Sequence, residues 1–360
     1  LSGIVEYLPK ELYIKVKACT PISLIEESLD KNNQQLAFEP IDFGYLKDSK
    51  SSKGTAAGQL SCNFSGSRRF KVGSLRDHIL GFRGVNGKGD IIKSGGTVVK
   101  NVTGYDLSKL VTGSFGTLTA LTEITFKVLP KKDSISTLVI YSENNKVISD
   151  LFNQLLSSSN EISGAVYIPV EPNNKNYTKN IEKIFKFNNL KSEEPFVAVR
   201  IEGSKKSIDE RIQDISQELQ TNKMKTSILD FYQSKLFWEK INNLELFSGT
   251  KNNLLRAVIP PAESLNLMKY LKNNFKYYID WCGSLFWIEV LEEENIQIKE
   301  MKETIINLGG YLTIVKKSES LSSDIDLFTI NDTRLLLSQK IKKSFDPKKL
   351  LNPGKMYRDL

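Results

Sequence analysis

Histidine is almost absent from this chain of 360 residues, and its scarcity excludes several classes of enzyme. His78 is the single histidine, so a histidine-rich metal site is excluded. A Ser-His-Asp triad could use this residue alone, but its neighbourhood "RDHILG" contains no nucleophile elbow. A surface or packing role is therefore favoured for His78.

Cysteine and long apolar runs are also scarce. Cys19, Cys62 and Cys282 lie far apart without a C-x-x-C motif, so this chain is expected to carry neither an iron–sulfur cluster nor a zinc ribbon. Unpaired cysteines are typical of the reducing cytoplasm. Because no apolar run approaches the roughly 20 residues of a membrane helix, we expect a cytoplasmic protein with at most peripheral membrane association through partners.

The charge of the chain does not point to a nucleic-acid partner. The formal net charge of +8 is modest for this length, and no basic stripe with interleaved aromatic residues occurs. A hydrophobic fraction of 40% suffices for a buried core, and 360 residues correspond to about two domains. We therefore expect a two-domain globular protein that does not bind nucleic acid.

The first third of the chain is rich in glycine and in strand-like patterns. "SGIVEY" and "LYIKVKA" predict strands, and "SLIEESLDKN" predicts a helix. In "ILGFRGVNGKGDIIKSGG", the residues Asn86-Gly87-Lys88-Gly89 are expected to supply the positive φ angles of a tight hairpin. Because neither a third glycine nor a helix follows, the Rossmann fingerprint is excluded, and no Walker A loop is present.

The pattern of the sequence changes after Pro130, where glycine becomes rare and strands alternate with helices. The order β-α-β-β-α-β occurs twice, separated by a linking helix in "SKLFWEKINNLEL". This order predicts a duplicated ferredoxin-like unit. The final segment, "RLLLSQKIKKSFDPKKLLNPGKMY", predicts a helix followed by a proline-bounded tail.

Two segments of the first third combine glycine with hydroxyl side chains, namely "KGTAAGQLSCNFSGSRR" and "TGSFGTL". Small residues let the backbone approach a ligand closely and direct N–H groups at anionic oxygens. Together the segments indicate a large phosphate-bearing ligand that lies across both. The alternative is that each segment is a flexible surface turn.

An ordered set of motifs resembles one family of flavoproteins. The motifs are "FEP" at 38–40, "GTAAG" at 54–58, Arg76-Asp77, "NGKG" at 86–89, "KNVTGYDL" at 100–107, "GSFGTL" at 113–118, Thr122-Glu123, "FDP" at 345–347 and "LNPGK" at 351–355. Together they resemble the FAD-linked oxidases of the vanillyl-alcohol oxidase/PCMH superfamily. Within it, "FEP", "SGSRR" and "KNVTGYDLSKL" look most like the FAD-binding E subunits of bacterial glycolate oxidases.

The resemblance implies an α+β fold with FAD held by the first domain. Residues 1–130 would form a PCMH-type FAD-binding domain that is incomplete at its N-terminus, and residues 131–330 a cap of duplicated ferredoxin-like units. Residues 331–360 would form a helix and a tail that return to the flavin. The FAD-binding positions implied by the family are Pro40, Gly54, Thr55, Gly58, Ser61, Cys62, Asn63, Ser65, Gly66, Gly113, Ser114, Gly116, Thr117 and Asn352.

The resemblance also implies oxidation of glycolate to glyoxylate, which needs a base for the hydroxyl proton and a cation for the carboxylate. Arg200 and Arg256 lie on predicted cap strands and could clamp the carboxylate, and a structural ion pair is the alternative for each. Lys100 could face FAD or substrate, or be a solvated lysine before a turn.

Related 2-hydroxy-acid dehydrogenases of the family use a histidine-rich metal and base site in the cap, which this chain lacks. The resemblance therefore implies a subunit that binds FAD and passes electrons onward, with glycolate oxidation centred on a D-type flavin subunit and with an iron–sulfur subunit as a further partner. Two alternatives stay open. The chain could be a self-sufficient FAD-linked oxidase of another 2-hydroxy acid or alcohol, or a non-catalytic structural subunit with a degenerate flavin site.

The glycine-rich pyrophosphate loop that opens proteins of this family would precede Leu1. We therefore expect the chain as given to be truncated at its N-terminus and to retain little or no flavin. No second histidine is present to lie near the flavin ring, so a covalent histidyl–FAD bond is not expected.

Overall fold

The computed structural model describes residues 1–47, 53–96, 105–170, 175–219, 224–272 and 274–357, with the backbone alone for 175–178. The chain divides into two compact units. The first unit comprises Leu1–Gly44, Ser49–Lys131 and Ile330–Leu360, and the second comprises Tyr45–Asp48 and Lys132–Thr329.

An antiparallel sheet forms the centre of the first unit. The described strands of this unit are β1 (Ile4–Leu8), β2 (Tyr13–Lys17), β3 (Gln34–Gln35), β4 (Ile79–Asn86), β5 (Ile91–Gly95), β6 (Thr119–Lys127) and β7 (Leu129–Pro130). The sheet has the order β1-β2-β6-β4-β5, and β3 pairs separately with β7. Ile14 and Val16 of β2 and Ile124 and Phe126 of β6 are fully buried, so these central strands carry the apolar core.

The first unit also contains short helices. They are α1 (Ile22–Asp30), α2 (Ala56–Cys62), α3 (Arg69–Val72), α4 (Leu75–His78) and α5 (Leu107–Val111). Ile22, Ile25 and Leu29 recur at helical spacing on α1 and are fully buried, which confirms the helix predicted in this segment. Helix α2 was not predicted, because its glycine, alanine and serine residues are typical of a loop.

The predicted hairpin is confirmed as β4 and β5, but its glycines have different roles from those expected. Of the four residues from Asn86 to Gly89, only Gly89 has a positive φ angle, at +91°. The Asn86 side chain closes the turn instead, because its Oδ1 accepts the N–H groups of Lys88 and Asp90, each at 2.9 Å. Glycine is required at position 87 for a different reason, because a Cβ there would clash with the Asp346 side chain.

An antiparallel sheet of eight described strands forms the second unit. The strands are β8 (Ser134–Tyr141), β9 (Gly164–Ile168), β10 (Phe196–Gly203), β11 (Thr226–Leu229), β12 (Asn253–Val258), β13 (Lys276–Asp280), β14 (Leu285–Val290) and β15 (Tyr311–Lys316). Their order is β11-β8-β10-β9-β13-β14-β12-β15. Each half places its first strand between its fourth and its third, and the halves join where Ile279 pairs with Tyr167. The predicted duplication of a ferredoxin-like unit is confirmed.

The helices of the second unit are α6 (Asn145–Ser157), α7 (Lys175–Ile184), α8 (Lys205–Glu218), α9 (Phe231–Asn242), α10 (Ser264–Leu271) and α11 (Asn295–Asn307). The predicted linking helix is α9, which begins at a capping box between Asp230 and Gln233. Helix α7 was not predicted. The chain then returns to the first unit with α12 (Asp332–Phe345). Among the residues that the structure describes, no helix has the length and apolar character needed to cross a membrane.

The contact of β4 with β6 predicts a requirement for glycine at position 84. A Cβ there would clash with Thr119 Cγ2 and would lie 2.7 Å from the Ala120 carbonyl oxygen. Gly84→Ala is expected to lower the free energy of unfolding by about 1–3 kcal/mol, measured by urea denaturation. Gly96→Ala is the control, since its Cβ would meet nothing within 4 Å. Equal midpoints for the two variants would contradict this account.

Candidate functional site

Helix α2 holds the first glycine- and hydroxyl-rich segment. Gly54 precedes it with φ +70°, and its carbonyl accepts the Ile22 N–H at 3.0 Å. Thr55 caps the helix, because its Oγ1 accepts the Gly58 N–H at 3.2 Å. Gly58 is exposed, and a Cβ there would touch only Thr55 Oγ1. The backbone of this helix turn is therefore open to close approach by a ligand.

The second segment, the turn of residues 113–117, lies against the other end of α2. The Gly113 N–H donates to the Leu60 carbonyl at 3.0 Å, and the Phe115 N–H donates to the Ser61 carbonyl at 2.8 Å. These bonds satisfy carbonyl groups that a helix end otherwise leaves unpaired. The two segments are thus adjacent, but these N–H groups bind α2 and do not face a ligand as expected.

Asn63 and Gly113 fix the geometry of this contact. Asn63 ends α2 in the left-handed conformation, with φ +53°, and its Oδ1 accepts the Arg76 N–H at 3.1 Å. Gly113 has φ +82°, and a Cβ there would lie 3.3 Å from Asn63 Cβ. Glycine at 113 therefore meets both a conformational and a steric requirement.

The hydroxyl groups of the turn differ in their surroundings. Thr117 Oγ1 donates to the Ser114 carbonyl at 2.7 Å and so stabilises the turn itself. Ser114 is buried, and its Oγ has no hydrogen-bond partner within the described ranges. A buried hydroxyl without a partner is unfavourable, so Ser114 Oγ marks a position where a polar ligand atom would be stabilised.

The C-terminal tail also reaches the turn. Asn352 Nδ2 donates to the Phe115 carbonyl at 2.8 Å, and a Cβ on Gly116 would lie 2.8 Å from the same nitrogen. Glycine at 116 therefore leaves room for Asn352.

Burial raises the pKa of the Cys62 thiol, and the positive charge of Lys355 partly opposes this effect. The tail therefore contacts the turn that is bonded to Ser61, the residue before Cys62.

A second group of predicted positions is assembled by an ion pair that the sequence analysis missed. The carboxylate of Glu39 accepts both the Arg68 N–H, at 2.7 Å, and the Arg68 guanidinium, at 2.8 Å. The Gly66 N–H donates to the Phe38 and Glu39 carbonyls, each at 3.0 Å. The pair therefore brings "FEP", with its buried Pro40, onto "SGSRR". Neither motif by itself indicates this contact, because the two residues lie far apart in the sequence.

Buried polar side chains connect this second group to the helices beside it. Ser65 Oγ accepts the Leu75 N–H at 3.0 Å. Gln59 of α2 donates to the Ile41 carbonyl at 2.9 Å and to the Lys53 carbonyl at 2.7 Å. Through these bonds, the segments around α2 and the pair of Glu39 and Arg68 belong to one hydrogen-bonded framework within the first unit.

The predicted substrate residue Arg200 is engaged inside the second unit. It is 1% exposed, and its guanidinium donates to the Ser163 carbonyl at 2.8 Å and to Ser163 Oγ at 3.2 Å. The guanidinium also lies over the Trp238 ring, 4.5 Å from its centre, and 3.9 Å from Glu202. These contacts favour the structural alternative for Arg200.

The other two predicted catalytic residues are Arg256 and Lys100. Arg256 is buried on β12, and its guanidinium lies 4.8 Å from the centre of the Trp281 ring. Trp281 and Cys282 have φ angles of +50° and +54°, so this neighbourhood contains strained backbone. Lys100 lies outside the residues that the structure describes.

His78 packs in the core of the first unit. It is 3% exposed, its Nε2 lies 3.0 Å from the Val72 carbonyl, and its ring lies 5.9 Å from that of Phe38. Since a carbonyl only accepts, Nε2 carries the proton, and Nδ1 is buried without a partner in the described part of the chain. Burial lowers the pKa of His78, and the nearby Lys127 acts in the same direction.

The fold is that of the VAO-type flavoproteins. The chain superimposes over 99% of its length on 4-ethylphenol oxidase from Gulosibacter chungangensis, with a TM-score of 0.69 and 14% identity, and covers 79% of that chain. 

It also superimposes over 98% of its length on an alkyldihydroxyacetonephosphate synthase, with a TM-score of 0.64 and 18% identity, and spans 65% of that chain. A VAO-type flavoprotein from Myceliophthora thermophila matches 94% of the chain with a TM-score of 0.59 and 12% identity. The α+β, PCMH-type fold implied by the sequence motifs is confirmed.

In sequence, the chain is similar to subunits of glycolate oxidase. It is 29% identical over 360 residues to the glycolate oxidase subunit GlcE of Escherichia coli, an alignment that covers 99% of this chain and 85% of that protein. It is 27% identical to the glycolate oxidase subunit GlcD of Bacillus subtilis, over 89% of this chain and 72% of that protein. No protein-family model matches the chain. The resemblance to the E subunits is confirmed.

The burial of His78 predicts a pH dependence of stability. The pKa of His78 is lowered in the folded protein, whereas unfolding restores it to about 6.5. The unfolded state therefore binds more protons just below that pH, and the free energy of unfolding is expected to fall as the pH drops from 7 toward 5.5. His78→Gln should remove this slope in urea denaturation. An equal slope in both proteins would contradict the assignment.

Proposed function

We propose that this chain is the E-type, FAD-binding subunit of a glycolate oxidase complex. The similarity to GlcE over 99% of the chain supports this proposal, as does the VAO-type fold. The observation that carries it is the convergence of three segments on α2. Thr55–Asn63, the turn of residues 113–117 and Asn352 are distant in sequence, yet they are joined by hydrogen bonds around one short helix.

The residues around α2 fit a dinucleotide. Ser114 Oγ is a buried donor without a partner among the described residues, and an FAD phosphate or ring oxygen would supply the missing acceptor. We assign the turn of residues 113–117 to the adenine and diphosphate end of FAD. The remaining predicted positions would line the rest of the cofactor: Pro40, Gly54, Thr55, Gly58, Ser61, Cys62, Asn63, Ser65, Gly66 and Asn352.

FAD, when bound, supplies the acceptor for a hydride. This chain would bind and orient the flavin, and oxidation of glycolate would be centred on a D-type flavin subunit. An iron–sulfur subunit would take up the electrons. Arg200 is engaged by Ser163 and Trp238, and Arg256 is likewise buried beside Trp281, so a carboxylate contact by either arginine would require these packing contacts to open. Lys100 is the remaining predicted candidate in this chain.

The proposal is tested by purifying the protein from its host together with its partners. We expect flavin in this subunit, and reduction of an artificial dye by glycolate only when the D-type subunit is present. Dye reduction by this subunit alone would instead show a self-sufficient oxidase. A complete complex in which this subunit holds no flavin would show a structural subunit.

Ser114→Ala separates cofactor binding from folding. The substitution removes a buried hydroxyl that has no partner in the described chain, so the stability of the flavin-free protein should stay the same or rise slightly. The affinity for FAD should fall by about 3- to 30-fold, the equivalent of one hydrogen bond. Titration followed by flavin fluorescence measures the affinity, and thermal unfolding provides the control. Unchanged affinity would place FAD away from Ser114.

A further inference from the structure

A lysine is buried at the end of α12. Lys342 is 3% exposed, and its ammonium group donates to the Thr117 carbonyl at 2.8 Å and to the Leu351 carbonyl at 2.7 Å. It also forms an ion pair with Asp346 at 2.7 Å. Three acceptors match the three protons of an ammonium group. One side chain therefore links α12, the tail and the turn of residues 113–117.

Asp346 completes this arrangement. It is fully buried, and its carboxylate accepts the N–H groups of Leu350 at 2.9 Å and Leu351 at 2.7 Å in addition to the Lys342 ammonium. Burial alone would raise the pKa of Asp346, but Lys342 and the two N–H groups hold it below its ordinary value. The tail from Leu350 onward is thus folded around a charged carboxylate.

The hairpin of β4 and β5 also contacts the end of α12, next to Asp346. The Gly87 N–H donates to the Phe345 carbonyl at 3.0 Å. A Cβ on Gly87 would clash with the Asp346 carboxylate and would lie 2.6 Å from Asp346 Cβ. Gly87 therefore has no side chain because Asp346 occupies that space.

We propose that Lys342 and Asp346 are positioning residues of the FAD site, which hold the turn of residues 113–117 and Asn352 in their binding geometry. The path is short. Lys342 fixes the Thr117 carbonyl at one end of the turn, and Asp346 fixes the N–H of Leu351, the residue before Asn352. Asn352 in turn binds the Phe115 carbonyl in the middle of the turn. The inference rests on the proposed function only in its statement about FAD.

Variants that act on the pair from different sides test this proposal. Lys342→Met removes the ammonium group, and Lys343→Met is its matched control, because Lys343 is the next residue and is exposed. Gly87→Ala displaces Asp346 sterically, with Gly96→Ala as its control. The double variant Lys342→Met/Asp346→Asn leaves no unpaired buried charge, so we expect it to fold even if the single Lys342 variant does not. Lys342→Arg keeps the charge and tests for rescue.

Two measurements are made on each variant of the full chain, below its unfolding temperature. Hydrogen exchange of the flavin-free protein reports on residues 113–117 and 350–356. Titration with FAD gives the affinity. We expect faster exchange in both segments and at least about tenfold weaker FAD binding in the double variant and in Gly87→Ala, with unchanged exchange in the strands of the second unit. The controls should match the parent protein, and Lys342→Arg should recover part of the affinity.

The outcomes distinguish the two proposals. Unchanged exchange of residues 113–117 in the double variant would overturn the positioning role, whatever the flavin result. Equal FAD affinity in the parent and in the double variant would also overturn it. If the parent protein binds no FAD, either in the titration or in the complex purified from its host, while exchange still increases in the variants, the link from Lys342 to the turn stands and the proposed cofactor function falls.

Discussion

The ion pair between Lys342 and Asp346 is the interaction on which the C-terminal part of the first unit depends. Lys342 is the buried side chain of α12 within the described residues, so this helix is held by a charge rather than by an apolar face. Breaking one partner of a buried ion pair costs about 3–5 kcal/mol, because the other charge is left without compensation. That is a large part of the roughly 5–15 kcal/mol that stabilises a typical domain. The tail is therefore tied firmly to the turn it contacts.

Close backbone approach explains why glycine recurs where the ion pair and the turn meet. Gly87 gives space to Asp346, Gly113 to Asn63, and Gly116 to Asn352. In each case the neighbour is a polar side chain that is itself fixed by hydrogen bonds, so it cannot move aside at low cost. The glycines and the polar side chains therefore depend on one another, and a Cβ at any of these positions would disturb the same framework.

Local patterns predicted the architecture better than they predicted the site. The β-α-β-β-α-β repeat is visible in sequence because each half is built from local periodicity, and the observed strand order follows from it. Helix α2 was missed because its composition resembles a loop, although Thr55 is a recognisable N-cap. The contacts between Glu39 and Arg68 and between Lys342 and Thr117 join residues far apart in the chain. No spacing rule encodes such pairs, and only the folded topology brings them together.

The second unit shows why a substrate-binding role cannot be assigned from the position of an arginine on a strand alone. Arg200 has the charge and the strand position that a carboxylate clamp needs, but its guanidinium is held by Ser163 and stacked on Trp238. A Cβ on Gly164 would lie 3.0 Å from both Arg200 Nε and the Trp238 ring, so the guanidinium sits in a closely packed space. A substrate carboxylate would have to replace these contacts and open the core. The cost of that opening favours a structural role for Arg200.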